Sequence, residues 1–473
     1  MSIPVRNPRT GAYDATITPP DEAAFAAIVQ RLRAAQPAWA ALSLAERAAA
    51  LLALRAAIEA HGDAIAAALE IDTGRRAIAR QELKGVLGAL AGWAAQAPSL
   101  LPDEWTQGRS MPHLKHRPQF VPYGLVGVIS PWNFPLTLSM IDTIPALLAG
   151  CGVLLKPSEV TPRFVAPLKA AVAQVPAVAG VFETVLGGAD TGRAVIAAAD
   201  AVCFTGSVAT GQAVAAQAAQ RMIPAFLELG GKDPLIILAS ADLDTAVTAA
   251  LRGSVLSTGQ ACQSIERIYV ARPLYEAFVE RLTAAAAACR LNWPEITAGE
   301  IGPIIFEKQA ATLQAHIEDA RAQGAQVMTG GALETHGGGL WLRPTVLTDV
   351  HHGMKVMHEE TFGPIMPVMA FDTPEEAVAL ANDTVFGLSA AVMAGTLEEA
   401  EGVGRQLHAG AVSLNDAALT SLFYEAEKHA FGLSGLGGSR MGAAGFQRFL
   451  RRKALIANTG RPTPLSAFAE DAS

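Results

Sequence analysis

The sequence predicts an α/β fold built on two open, mostly parallel sheets, and three observations predict it. Short β-branched runs at 126–130, 153–155, 201–204 and 234–238 alternate with helical stretches, the order that a parallel sheet with crossover helices requires. A second set of strand candidates follows at 266–270, 325–328, 368–371, 390–394 and 410–414, with helical stretches such as 375–382 between them. The chain has 473 residues, 51% of them hydrophobic, enough for two to three domains with substantial cores.

In chain order, Asn7-Pro8-Arg9-Thr10-Gly11 reads as a turn. Helices are expected over 21–40, 43–70 and 76–97, which are rich in Ala and Leu with charges at helical spacing; Asp21 and Ser43 are the N-cap candidates. Residues 112–122 are polar and basic with a Pro at each end, and read as a protruding hairpin. A helix over 136–148 joins the first two strands. No repeat, low-complexity linker or charge block divides the two strand sets, so their boundary is a packed one. The tail from Thr459 is rich in Pro, Ala and Ser, either flexible or docked on a partner subunit.

Composition removes several classes of function. A net charge of −8 gives no reason to expect nucleic acid or an anionic membrane as partner. The cysteines at 151, 203, 262 and 289 form no C-x-x-C pair and have no histidines at zinc spacing, so neither a metal site nor a disulfide framework is expected. Reduced thiols fit a cytoplasmic protein. Met1 to Asp14 carries no apolar core and does not read as a secretory signal. The most apolar run, 139–155, is interrupted by Asp142, Pro145 and two glycines, so no membrane span is expected.

Six motifs carry chemistry. Cys262 ends Gly259-Gln260-Ala261-Cys262, and Glu228 opens Glu228-Leu229-Gly230-Gly231-Lys232, 34 residues earlier. Covalent catalysis needs such a pair, because a thiolate must attack and a base must activate the water that later releases its ester. A lone cysteine is more often a small buried apolar residue. Pro131-Trp132-Asn133-Phe134-Pro135 follows the first strand, where Asn133 is able to donate its amide to a developing oxyanion; otherwise it is an aromatic turn that packs locally. Lys156-Pro157-Ser158-Glu159 ends the next strand, where open sheets bind ligands, and suits ribose hydroxyls or a solvated turn. Phe204-Thr205-Gly206-Ser207, with Gly211, marks a strand-to-helix junction suited to phosphate, although it is not a G-x-G-x-x-G fingerprint. Glu359-Glu360-Thr361-Phe362-Gly363-Pro364 offers a carboxylate for a ribose and a ring for a nicotinamide, or is a solvated acidic turn.

Together, in this order and spacing, the motifs resemble the aldehyde dehydrogenase superfamily, and the resemblance runs from about Asn7 to Lys453. It implies two Rossmann-like open-sheet domains plus a small β element for oligomerisation. The cofactor-binding domain would take 1–111 and 123–230 and the catalytic domain 231–434. The oligomerisation element and tail would take 112–122 and 453–473, giving a homodimer or homotetramer. The resemblance makes Cys262 the nucleophile, Glu228 the general base, and Asn133 with the Cys262 backbone N–H the oxyanion hole. The cofactor would be NAD, with NADP possible. Lys156 and Glu360 would hold its ribose hydroxyls, Gly206 and Ser207 its pyrophosphate, and Phe362 its nicotinamide ribose, with Trp132, Ser158, Gly211 and Leu229 around them. Glu159 would face the adenine ribose and disfavour a 2′-phosphate. The implied reaction passes from thiohemiacetal through hydride transfer to a thioester, which water hydrolyses to a carboxylic acid.

The same resemblance walls a substrate tunnel with Phe134, Leu138 and Ile141, then Leu256, Ala261 and Gln263, then Leu419, Leu422, Phe423, Tyr424 and Phe431. Its inner set carries no Arg or Lys, and Lys428 is the nearest cation in the loop. That predicts neutral hydrophobic aldehydes, aromatic or medium-to-long aliphatic, as substrates. One departure stands out. The P-F-G-G-x-K-x-S-G run of the family appears as the shorter His429-Ala430-Phe431-Gly432-Leu433-Ser434-Gly435, after a longer loop over 416–428. The rival readings are a CoA-acylating or semialdehyde-specific dehydrogenase, an acyl-CoA or acyl-phosphate reductase, and a non-catalytic binding protein on the same fold. Glu228 argues against acyl transfer to CoA and against the reductase, and the intact Cys262, Glu228 and Asn133 argue against the non-catalytic reading.

Overall fold

Leu125–Ile129 is apolar on both faces, and the fold buries it on both faces between layers of helices. The computed structural model describes residues 2–102 and 104–470. Met1, Asp103 and 471–473, which fall in the segments assigned above to the cofactor domain and the tail, lie outside the described residues. The expected strands all form, as two separate sheets. The first has the spatial order Phe182–Thr184, Gly152–Lys156, Leu125–Ile129, Ala201–Thr205, Ala225–Glu228, all parallel, with Gly435–Leu436 antiparallel at the end. The chain order reverses between Leu125–Ile129 and Ala201–Thr205, so a crevice opens beyond the carboxyl ends of these two strands.

The second sheet runs Gln326–Thr329, Thr345–Thr348, Ile365–Phe371, Ile265–Ala271, Asp233–Ile237, Ser389–Met393, Ala411–Leu414, parallel except for its first strand. Leu229 to Lys232 is the whole connection between the two sheets at this crossing. Apolar clusters line both sheets; one packs Leu136, Met140 and Ile144 of the helix Pro135–Ala149 against Val126, Val128 and Val153.

Two local expectations change. The helix expected over 43–70 is two helices, Leu44–Ala60 and Gly62–Thr73. His61 stops the first by folding its ring Nδ1 onto Ala57 O at 2.9 Å, and Gly62 lets the second pass close to Leu83. Ser43 makes a full capping box with Glu46, and Asp21 caps Ala24 N, as their positions predicted. The hairpin expected at 112–122 is a single nine-residue strand, Leu114–Pro122, with its turn lying earlier, after Thr106–Gln107. Its long partner is Leu450–Asn458, in antiparallel register from Leu450 opposite Pro122 to Asn458 opposite Leu114.

Candidate active site

The helix Leu243–Val255 ends in a turn in which Ser257, Thr258 and Gly259 are all left-handed, at φ 59°, 61° and 66°. Such backbone persists only where its surroundings over-determine it. Gly259 is required by close approach as well, since a Cβ there would lie 2.4 Å from the carbonyl of Gly363. Buried Gln260 donates to Pro303 O at 3.1 Å and accepts from Ile305 N at 2.9 Å, and Thr258 Oγ1 accepts from Gly302 N at 2.9 Å. The half-buried Cys262 follows this fixed turn, just before the strand Ile265–Ala271.

Asn133, 2% exposed, donates its amide to Gln260 O at 3.0 Å. An Asn amide carries two N–H donors, and this bond uses one. Buried Arg75 donates to the carbonyl of Asn133 and to Ser257 O at 3.2 Å, and lies over the Phe134 ring at 5.3 Å. Glu82 accepts from Leu136 N at 3.1 Å and Thr137 N at 3.0 Å, anchoring the helix that follows Asn133. Sequence reasoning missed Arg75 and Glu82, because one stands just before a helix and the other within it, with no motif around either.

Glu228 is the last residue of its strand. Gly435 pairs with it, Leu229 N donates to Ser434 O at 2.9 Å, and Glu228 Oε1 stands 3.7 Å from Arg440 Nε. Arg440 is buried and also donates to Thr205 Oγ1 at 2.6 Å and to Asp142 Oδ2 at 3.3 Å; the other oxygen of Asp142 accepts from Arg448. A signal for this network was present: Asp142 breaks an otherwise apolar helix, and a carboxylate there requires a buried cation.

Burial pushes the Cys262 thiol up to about 11, with Lys428 and Arg440 pulling it down and Glu228 and Asp233 pushing it up. Lys428, the nearest cation expected in the loop, is 5% exposed, and its charge favours the thiolate. Phe431, one of the expected wall residues, sits in a short ladder opposite Gly387 and is about half exposed. Among the other tunnel candidates, Gln263 Oε1 accepts from Thr420 Oγ1 at 2.6 Å, which ties the Leu419–Ser421 turn to the cysteine loop. Tyr424 donates to Ser421 O at 3.0 Å. Phe134, Leu138, Ile141, Ala261 and Leu419 are partly buried, while Leu256, Leu422, Phe423 and Tyr424 are exposed.

The residues expected around a dinucleotide gather at the crevice. Lys156 Nζ donates to Glu159 Oε2 at 2.8 Å beyond the strand Gly152–Lys156. Ser158 Oγ accepts from Val160 N at 3.2 Å, and Thr161 Oγ1 donates to Trp132 O at 3.1 Å. The helix Val208–Gln220 starts at Ser207 with no side chain on its first N–H groups, since the Ser207 hydroxyl donates to Thr210 Oγ1 instead. An uncapped helix N-terminus at a switch point fits a pyrophosphate. Gly206 N donates to Glu228 O at 3.2 Å, and Gly211 leaves room for Leu229. Glu360 accepts from Gly231 N at 3.2 Å, and burial pushes its carboxyl up to about 8. Phe362 meets Trp132 edge-on at 5.4 Å. Its loop is held by buried Glu266, which accepts from Thr361 N at 2.8 Å, Phe362 N at 2.7 Å and Lys232 Nζ at 2.8 Å. Lys232 was legible as part of a motif and had no role; its role is this pin.

Among the described residues no group of three His, Cys, Asp or Glu could hold a metal ion, and no helix is long and apolar enough to cross a membrane. Cys289 caps the helix Arg272–Ala288, with its thiol on Ala285 O.

The profile of the aldehyde dehydrogenase family matches residues 1–455. The chain is 36% identical over 418 residues to a protein designated succinate-semialdehyde dehydrogenase [NADP(+)] from Mycolicibacterium smegmatis, covering 88% of this chain and 81% of that one. Among solved structures, it superposes with a TM-score of 0.96 on a protein designated aldehyde dehydrogenase PutA from Anabaena variabilis, at 53% identity over 98% of this chain and 99% of that one. It superposes with a TM-score of 0.91 on betaine aldehyde dehydrogenase from Staphylococcus aureus in complex with NAD+, at 28% identity over 98% and 92% of the two chains.

Proposed function

The chain belongs to the aldehyde dehydrogenase family and is an NAD(P)-dependent oxidoreductase, and from that premise we propose that it oxidises aldehydes to carboxylic acids through a thioester on Cys262. The carrying observation is convergence. A strained turn presents Cys262, the loop after Leu125–Ile129 brings Asn133 within 3.0 Å of that turn, and the strand Ala225–Glu228 of the same sheet ends in Glu228, whose charge bears on the thiol.

In this reading the Cys262 sulfur attacks the aldehyde carbon, and the new C–S bond moves the carbonyl electrons onto oxygen. The free N–H of the Asn133 amide and the Cys262 backbone N–H donate to that oxyanion. NAD(P), when bound, supplies the hydride acceptor. Glu228 then takes a proton from water, whose oxygen attacks the thioester carbon. The C–S bond breaks, the acid leaves, and the sulfur regains a proton. The cofactor would be held by the open end of the helix Val208–Gln220, by Lys156, Glu159 and Glu360, and between Trp132 and Phe362.

The substrates we infer are neutral and hydrophobic or aromatic, because Phe134, Leu138, Ile141, Phe423 and Tyr424 offer apolar area worth about 25 cal/mol per Å² buried. A second reading, an aldehyde bearing a carboxylate, is favoured by the buried ammonium of Lys428 and by the designation of the Mycolicibacterium relative. Comparing kcat/KM for benzaldehyde and octanal with that for succinic semialdehyde decides between them. We expect the neutral pair to lead, and a higher value for the semialdehyde overturns the apolar reading. A cytoplasmic homodimer or homotetramer, joined through the strands Leu114–Pro122 and Leu450–Asn458, completes the proposal.

A further inference from the structure

The ammonium of Lys428 is buried and has no hydrogen-bond partner among the described residues. Its backbone is fixed all the same. Lys428 N donates to Ser439 Oγ at 3.1 Å, the same oxygen accepts from Met441 N at 3.0 Å, and Glu427 accepts from Ala444 N at 2.8 Å. The loop is thus closed on itself around an unpaired cation.

The residue after Lys428 and the cysteine turn both pack around Leu388. A Cβ built on Gly410 would lie 2.1 Å from His429 O and 3.1 Å from Leu388 O, and one on Gly231 would lie 3.2 Å from Leu388 Cβ, 2.6 Å from Asp233 Oδ1 and 2.9 Å from Cys262 O. In that setting the charge of Lys428 favours the ionised form of both Cys262 and Asp233. Asp233 already serves Ser389, accepting from its backbone N–H at 3.1 Å and from its hydroxyl. Arg440, the other cation near the thiol, is engaged by Thr205 and Asp142. Among the described residues, the titratable groups whose charge bears on Cys262 are Lys428 and Tyr424 from the 416–428 loop, Arg440 beyond it, Glu228 from the end of the first sheet, and Asp233 from the start of the second.

An isolated ammonium out of water is costly, and such a group survives where an anion arrives to meet it. The anion absent at rest and formed in turnover is the Cys262 sulfur. We propose that Lys428 is a positioning residue that acts through Cys262, its free ammonium stabilising the thiolate so that the nucleophile forms without a neighbouring histidine. The thiol proton passes to solvent, the sulfur keeps the electron pair, and the ammonium stays charged throughout. This proposal rests on the reading of Cys262 as the nucleophile.

The test is alkylation of Cys262 in the full-length protein by iodoacetamide, an uncharged reagent, followed by mass spectrometry. The thiolate displaces iodide, and below the midpoint of the thiol the rate follows the thiolate fraction. An opposite charge close to a thiol is worth roughly one pH unit or more, so Lys428→Met should slow alkylation about tenfold at fixed neutral pH. Lys428→Arg should restore most of the rate, and Lys428→Gln provides the same readout should the Met variant fail to fold. An unchanged rate in the folded neutral variants overturns the proposal. So does an unchanged rate with KM raised for succinic semialdehyde alone, which would make Lys428 an anchor for a substrate carboxylate. Cys262→Ala that still oxidises aldehydes would instead sink the nucleophile reading, so the two failures are distinguishable.

Discussion

Cys262 shows how little a motif says about the state of its own side chain. Its position was legible, and so were those of Asn133 and Glu228, because the chemistry constrains residue type and spacing. The charge around it was legible only in part. Lys428 stood out as the nearest cation in the loop, but Arg440 arrives from more than 160 residues away in sequence with no local pattern to tie it to the cysteine. The roles of the trio have a direct check. Cys262→Ala should abolish oxidation while cofactor binding persists. Glu228→Gln should give one rapid turnover and then stall, because the amide cannot take a proton from water. In stopped flow this reads as a burst of NADH equal to the enzyme sites followed by a slow steady state. An undiminished steady state would assign water activation to another group.

At the scale of elements, strands buried on both faces were the easiest to find, since their apolar runs are short and bounded by turn residues. Those that escaped notice, such as Ala225–Glu228 and Phe182–Thr184, are three or four residues long and carry a charged residue. They are strands because a neighbour is already in place, which single-sequence periodicity does not register. Strand ends also bear on the expected cofactor. The turn after Gly152–Lys156 puts Glu159 on Lys156 at 2.8 Å, so the ammonium there is already neutralised and the turn offers a 2′-phosphate no spare cation. We expect kcat/KM with NAD to exceed that with NADP, and equal values would remove Glu159 from the recognition of the ribose. The pin formed by Lys232 and Glu266 is a further device at this level, since it holds the Phe362 loop from neighbouring strands of the same sheet.

For the whole molecule, the two-sheet plan was readable in the alternation of strand and helix, but the way the chain closes was not. After the second sheet the chain returns to the first, where Gly435–Leu436 adds an edge strand and Gly442–Gln447 packs on the helix Pro135–Ala149. It then leaves along Leu450–Asn458, whose side chains are mostly exposed, with Ile456 70% exposed. An arm of this kind is costly to leave uncovered. Removing 450–470 should therefore reduce the particle to the mass of a single chain in light scattering. An assembly of unchanged mass would place the contact elsewhere.

The return of Gly435 to the strand of Glu228 also orders events in time. Glu228 and Cys262 both precede, by more than 160 residues, the stretch that pairs with the base strand and carries Lys428 and Arg440. Until that stretch docks, the strand Ala225–Glu228 is an open edge and the thiol has neither cation beside it. A site read as catalytic is therefore completed only when the far end of the chain comes back to it.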